Sequence, residues 1–215
     1  MEIAIVGLGN IGSRVATNLT AGAVDVIVSD RDLEKALDLA EKLGARAVAM
    51  TIDAALKKAD VVILSVLFDV MKEFVVEHRA ALAGKIVVDP SNPIARDGKG
   101  FKKIIPADQS AGRIIADLLP EGAELVKAFG TLSARSLGAA ANRKPELAVL
   151  FYATDFPEAG TAVAKLIGAS GFAPVSVGGI DQAVRIEAFG DLNESGKLGR
   201  LVSRREAEAL VRRGF

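Results

Sequence analysis

An α/β chain of the Rossmann type, with a doubly wound, mainly parallel sheet and a short C-terminal α/β extension, is the fold class that the sequence predicts. Three observations predict it. The hydrophobic period switches repeatedly between the short apolar runs of strands and the three-to-four-residue spacing of helices. The strand-like runs have no polar face, as expected where helices cover both faces of a parallel sheet. A glycine triplet, Gly7-x-Gly9-x-x-Gly12, stands at the first switch from strand to helix.

Taken in order, Ile3 to Val6 reads as a buried strand, and Ile11, Val15 and Leu19 then recur every four residues on one helical face. "VDVIVSD" (24–30) is the second strand. "DLEKALDLAEKLG" (32–44) is the second helix, with Asp32 placed to cap its start and Gly44 placed for a left-handed end. "ARAVAM" (45–50), a short helix from Asp53 to Lys58, "DVVILSV" (60–66), a helix over 69–82 and "KIVVD" (85–89) continue the alternation. Residues 90–110, with Pro90, Pro93 and Pro106 and little periodicity, read as a long loop, and loops of that length are commonly functional. Beyond it the pattern predicts a helix (110–119), a strand (124–128), a helix (131–140), a strand (146–153), a helix (157–169), a strand (173–178), a polar stretch and a charged helix (203–213). The domain organisation expected is a dinucleotide-binding unit over 1–140 and a small extension over 141–215 that completes a cleft.

Composition narrows the function. Half of the chain is hydrophobic, and 27 basic residues balance 27 acidic ones, so nothing draws it as a whole to nucleic acid or an anionic membrane. Without cysteine it has neither a disulfide nor a thiolate site, and with His78 as its single histidine it has no multi-histidine metal centre. Apolar runs such as 61–64 fall far short of the ~20 residues of a membrane span. The first strand leaves no room for a signal peptide, and a cytoplasmic protein is expected.

The triplet carries the functional reading. Gly7 permits the tight turn out of the strand, Gly9 leaves backbone open to a pyrophosphate, and Gly12 lets the helix approach the sheet. The helix beginning near Asn10, followed by Ile11, aims its free N–H groups at the phosphates. Asp30 ends the second strand 18 positions after Gly12, near the ~20 of the dinucleotide fingerprint. Its carboxylate suits ribose hydroxyls and argues for NAD, whereas Arg31, assisted by Lys35, suits the 2′-phosphate of NADP. Ser65, Val66 and Leu67 follow the fourth strand at its carboxyl end, where the nicotinamide ribose is expected.

With "IAIVGLGNIGSRVA", "SDRDLEKA", "KIVVDPSNPIARDGKGF" (85–101), "SAGRIIADLLP" and "VKAFGTL" (126–132) on the page, the chain resembles the deazaflavin (coenzyme F420) dependent NADP oxidoreductases and their relatives over nearly its whole length. The resemblance implies a Rossmann domain with a short extension, a cleft between them, and a flat reducible ring stacked on the nicotinamide. It places Gly9, Asn10 and Ile11 at the pyrophosphate, Asp30 and Arg31 at the adenosine 2′ position, and Ser65, Val66 and Leu67 on the nicotinamide side. It puts Asn92, Pro93, Phe129 and Thr131 on the cleft wall. A homodimer is also expected. Three departures stand out: Asp30-Arg31 where NADP-specific members resemble Ser-Arg, Gly130 where relatives resemble "KAFN", and a long polar segment at 178–200.

The resulting expectation is hydride transfer between NAD(P)H and a deazaflavin, a flavin or another conjugated small molecule. No proton carrier is assigned, because direct hydride transfer needs positioning more than an acid or base. The alternatives are a nucleotide-binding redox sensor without turnover and a β-hydroxyacid or imine reductase. The latter's all-helical C-terminal domain is at odds with the strand-helix alternation over 146–178. His78 reads as structural. The basic run Arg96, Lys99, Lys102 and Lys103 fits either an anionic substrate tail or a solvated loop. Arg185 and Glu187, flanking Ile186 in an extended segment, fit either an ion pair at the cleft floor or a surface pair.

Overall fold

The computed structural model describes residues 1–98 and 100–213. Strand β1 (Ile3–Val6), helix α1 (Asn10–Ala21), β2 (Val26–Ser29), α2 (Leu33–Leu43), β3 (Ala47–Ala49), α3 (Ile52–Lys58), β4 (Val61–Leu64), α4 (Phe68–Glu77), α5 (Arg79–Leu82) and β5 (Ile86–Asp89) alternate as expected. With β8 (Glu124–Lys127) they form a six-stranded sheet in the order β3-β2-β1-β4-β5-β8, parallel at every pairing. The chain winds outward from β1 through β2 and β3, then returns to its other side to lay down β4. That reversal opens a crevice above the carboxyl ends of β1 and β4, where such sheets bind ligands.

Every residue of β1, β2 and β4 is buried, and alternate side chains feed two separate apolar layers. Ala4, Val6, Val62 and Leu64 join the layer covered by α3, α4 and α6 (Ala111–Leu118). Ile3, Ile5, Val61 and Ile63 join the layer covered by α1, α7 (Ala134–Ala139) and α8 (Pro157–Ala169). Helix α1 turns Gly12, Val15, Ala16 and Leu19 inward; each large apolar chain so buried contributes roughly 1.5–3 kcal/mol.

Strands β9 (Val149–Tyr152) and β10 (Ala173–Ser176) pair in parallel around α8, and β9 meets the main sheet through an antiparallel bridge between Lys127 and Ala153. Both apolar layers contain side chains from 1–140 and from 141–215. Helix α10 (Arg204–Arg213) buries Ala207 and packs against β10.

Several expectations are corrected. The loop over 90–110 contains an antiparallel hairpin, β6 (Ile94–Arg96) and β7 (Phe101–Lys103), whose three-residue strands are too short to show alternation. Its turn uses Gly98 at φ +83°, and Arg96 lies over the Phe101 ring at 5.1 Å. The helix expected over 69–82 breaks at His78, which stacks on Phe74 with ring centroids 4.3 Å apart. Asp32 occupies the cap position of α2 without accepting a hydrogen bond from the helix there, whereas Gly44 ends it at φ +75° as expected. Residues 185–187, expected to be extended, instead end a short helix, α9 (Ala183–Ile186), that follows a 3-10 turn (Ile180–Gln182).

Candidate active site

The corner between β1 and α1 is shaped by what it excludes. Gly7 has φ +89°, and a Cβ there would lie 2.5 Å from the Ser65 carbonyl oxygen. At Gly12 a Cβ would lie 2.0 Å from the Gly7 carbonyl oxygen; Gly12 is buried and sets the helix-to-sheet approach. Gly9 differs. Its φ of −71° suits any residue, and a Cβ there meets nothing within 4 Å. No protein atom therefore requires glycine at position 9, and its bare backbone faces open space. Helix α1 has neither a side-chain cap nor an acidic residue in its first turn; α2, α4 and α8 also lack a side-chain cap but carry Glu34, Asp69 and Glu158 in their first turns, and Thr51, Ser110 and Ser133 cap α3, α6 and α7. The first N–H groups of α1 are thus left for an anion.

A cleft of about 570 Å³ opens over this corner. Gly7, Gly9, Asn10 and Ile11 form its middle, Asp30, Arg31 and Lys35 one part of its wall, and Ser65, Val66 and Leu67 another. The structure thereby unites the positions singled out for the dinucleotide except Gly12 and Asn92, neither of which lines the cleft. Leu67 is 76% exposed, and with Val70, Phe74 and Pro90 it gives that side of the cleft an apolar lining.

Asp30 is half-buried and organises the loop. Its Oδ2 accepts from the Leu8 N–H at 2.7 Å and from Lys35 Nζ at 3.0 Å, and its Oδ1 accepts from the Asp32 N–H at 3.3 Å. Burial alone would raise its pKa, but those donors outweigh it and hold the carboxyl below its ordinary value. Arg31 is exposed and forms no hydrogen bond or ion pair with another described residue.

Asn92 stands behind Pro90 as a brace. Its Nδ2 donates to the Gly130 carbonyl at 3.0 Å, and its Oδ1 accepts from the Ala188 N–H at 2.6 Å; one N–H and one lone pair remain for a ligand. Pro93, Phe129 and Thr131, expected on the wall, are buried beneath it, Phe129 with φ +63°. A Cβ at Gly130 would lie 2.5 Å from the Pro90 carbonyl oxygen, so this backbone has no room for a side chain.

The comparisons with known proteins bear on this site. Residues 2–93 match the family described as NADP oxidoreductase, coenzyme F420-dependent. An F420-dependent NADP reductase of Methanothermobacter marburgensis is 30% identical over 148 residues, 64% of this chain and 66% of that protein, just under two thirds of its length. A hypothetical protein of Sinorhizobium meliloti is 32% identical in its crystal structure, with a TM-score of 0.83 over 95% of this chain and 96% of the other. Over its amino-terminal part the chain is similar to the F420-dependent NADP oxidoreductase family. An Aspergillus terreus reductive aminase solved with NADPH shares the fold alone, at 20% identity and TM-score 0.61, and this chain spans 56% of it.

Lys127, Asp89 and Asn193, which the sequence reading did not single out, join Glu187 in a buried polar cluster at the carboxyl ends of β5 and β8. Lys127, 2% exposed, donates through Nζ to Asp89 Oδ2 at 2.7 Å and to the Ser91 carbonyl at 2.6 Å, with Glu187 Oε1 at 4.0 Å. Glu187, 1% exposed, accepts from Ser110 Oγ at 2.9 Å and from the N–H groups of Ala111 and Gly112 at 3.1 and 2.8 Å, binding the start of α6. Arg185 is buried too and meets Asp191 at 2.9 Å. Arg185 and Glu187 are therefore neither a surface pair nor in an extended segment. Asn193 Nδ2 completes the network on the carbonyls of Gly130 (3.2 Å) and Ile186 (2.9 Å). The basic loop run does not act as one patch: Lys103 Nζ donates to the carbonyls of Ala107 and Gln109, Arg96 covers Phe101, Lys102 is exposed, and Lys99 lies outside the described residues. Among the described residues no cluster suited to a metal ion is present, and no helix is long and apolar enough to cross a membrane.

Proposed function

We propose that the chain binds NADP(H) in the cleft above β1 and β4 and passes hydride between its nicotinamide and a flat conjugated acceptor of the deazaflavin or flavin class. One observation carries the reading: Gly9 is bare toward open space beside an uncapped helix start, although the protein's own packing would admit a side chain there. A ligand that must approach the backbone supplies the reason.

The dinucleotide, when bound, supplies a two-electron hydride at its nicotinamide ring, and the reduced acceptor takes its proton from solvent. The chain's part is positioning. Asn10 and Ile11 offer their N–H groups to the pyrophosphate. Leu67 and Val70 give the ring an apolar seat that keeps water from the transfer path. Lys35 pairs with Asp30 and offsets its repulsion of a 2′-phosphate, while the unpaired Arg31 guanidinium is free to bind that phosphate in bidentate fashion. This favours NADP over NAD. Asn92 and the segment after α9 brace the far wall, where 141–215 completes the acceptor side.

The test is to follow loss of reduced-nicotinamide absorbance with NADPH and NADH separately, in the presence of deazaflavin, FMN, FAD and ferric chelates. Acceptor-dependent oxidation that prefers NADPH is expected, and Arg31→Ala should lower the NADPH-to-NADH ratio of kcat/KM about tenfold, ~1.4 kcal/mol. Tight nucleotide binding with no oxidation by any acceptor would make the chain a sensor instead. An unchanged ratio in the variant would remove Arg31 from the phosphate.

A further inference from the structure

A second cavity, of about 490 Å³, lies between α1 and α7. We propose that it receives an anionic group, a phosphate or carboxylate, carried by the hydride acceptor; this rests on the oxidoreductase reading above and names the chemistry of the acceptor's tail.

Arg14 and Arg135 line the cavity from opposite helices, with Asn10, Ser13 and Gly138 beside them. Neither guanidinium forms a hydrogen bond or ion pair with another described residue, and no carboxylate is among the described residues of the lining. In a chain whose charges balance overall, two unpaired arginines facing one hollow are a local excess of positive charge. The carboxylate that reaches α7, Glu194, has one oxygen on the Ser133 N–H at 2.7 Å and the other on Ser136 Oγ, so it is already engaged at the helix start.

The arrangement is held in place before any ligand arrives. Asn18 Nδ2 donates to the Leu137 carbonyl at 2.9 Å, and Leu137 is buried, which fixes α7 against α1. The Arg14 side chain lies over Gly138, where a Cβ would come 3.3 Å from its Cδ and Nε. Arg14 and Arg135 are both exposed, so an anion reaches them from solvent, and a planar guanidinium offers it a bidentate fork that a lysine lacks.

Continuity with the first site gives the direction. Asn10 lines both this cavity and the nucleotide cleft. A molecule whose ring lies against the nicotinamide therefore has a short path past Asn10 to the two arginines, while the dinucleotide's own phosphates have their seat on the other side, at the glycine corner. A neutral ring without a tail would leave the hollow empty and gain nothing from it.

The experiment uses the full chain saturated with NADP⁺, so that the glycine corner is filled. Inorganic pyrophosphate is then titrated by calorimetry at low salt. Binding is expected, with Arg14→Gln and Arg135→Gln each weakening it about tenfold and Arg14→Lys recovering part of the loss. Steady-state kinetics with NADPH form the second arm: in the double variant the KM for FMN should rise about tenfold or more while that for riboflavin, which lacks the phosphate, stays within about twofold. No pyrophosphate binding, binding abolished by NADP⁺, or equal shifts for FMN and riboflavin would overturn the proposal, the second by assigning the anion to the dinucleotide. Pyrophosphate binding that depends on the arginines, in a protein whose NADPH is oxidised by none of deazaflavin, FMN, FAD, riboflavin and ferric chelates, would sink the oxidoreductase reading and leave the anion site standing.

Discussion

Around the corner after β1, position is set by backbone: Gly7 takes a left-handed φ, Gly12 sits where a side chain would strike the Gly7 carbonyl, and Gly9 is left bare. Across the cleft, the segment from Arg185 to Glu194 is set by side chains that reach far along the chain, Glu187 to Ser110 and Lys127, Asn193 to Gly130. The first region is rigid because alternatives clash, the second because buried charges have found partners. They should therefore fail differently when altered.

The largest effect is expected in the second region. Lys127→Met removes the cation between Asp89 and Glu187, both 1% exposed or less, and leaves two buried carboxylates with hydrogen-bond donors but without that countercharge. Breaking a buried pair by deleting one partner costs about 3–5 kcal/mol, and urea unfolding should show a loss of that size. A loss under about 1 kcal/mol, the scale of a solvent-exposed pair, would mean that apolar packing and not charge holds this segment.

The first region is probed by a matched pair. Gly12→Ala forces a Cβ against the Gly7 carbonyl, and overpacking of this kind costs about 1–3 kcal/mol, so both melting temperature and nucleotide affinity should fall. Gly9→Ala adds the same methyl group into open space at an ordinary φ. Its melting temperature should stay within about 1 °C, while the Kd for NADPH rises about tenfold because the methyl group stands where the phosphate approaches. Should Gly9→Ala bind NADPH like the parent, the corner is not a phosphate seat, whatever the glycines suggest.

The same contrast explains what could be read beforehand. The strands, the helix faces and the corner were legible because each is a local pattern: an apolar run, a three-to-four-residue period, three glycines spaced for a turn. The cleft residues from Asp30 to Leu67 followed, since parallel topology brings strand ends together. The hairpin after β5 was not legible, because Ile94–Arg96 and Phe101–Lys103 are too short for a period to emerge. Nor was the buried cluster. Glu187 was readable only as one of two alternatives, with Arg185 as its partner, and nothing local marks Lys127 until folding brings it within 4.0 Å of that glutamate. Pro93, Phe129 and Thr131, expected on the cleft wall, are all buried and none of them lines the cleft, and only Phe129 joins an apolar layer.

Asp30 crosses the boundary between the two regions, for it is the one carboxylate at the glycine corner that does what Glu187 does across the cleft, and it yields the smallest effect. It holds the Leu8 N–H as Glu187 holds the start of α6. Its carboxyl is kept below the ordinary value of 3.8 by Leu8, Lys35 and Asp32 against the opposing pull of burial. A group depressed in the folded state contributes stability that is present above its unfolded pKa and lost as pH falls through the folded one. The unfolding free energy of the parent should therefore exceed that of Asp30→Asn by a constant margin at neutral pH, and the margin should close below about pH 4. Lys35 is 47% exposed, so salt screens its share, and the margin should narrow in high salt at pH 7 without vanishing, because the bond to Leu8 is shielded. A margin that widens toward acid would mean that the folded chain favours the protonated carboxyl, and the corner would then rest on its glycines alone.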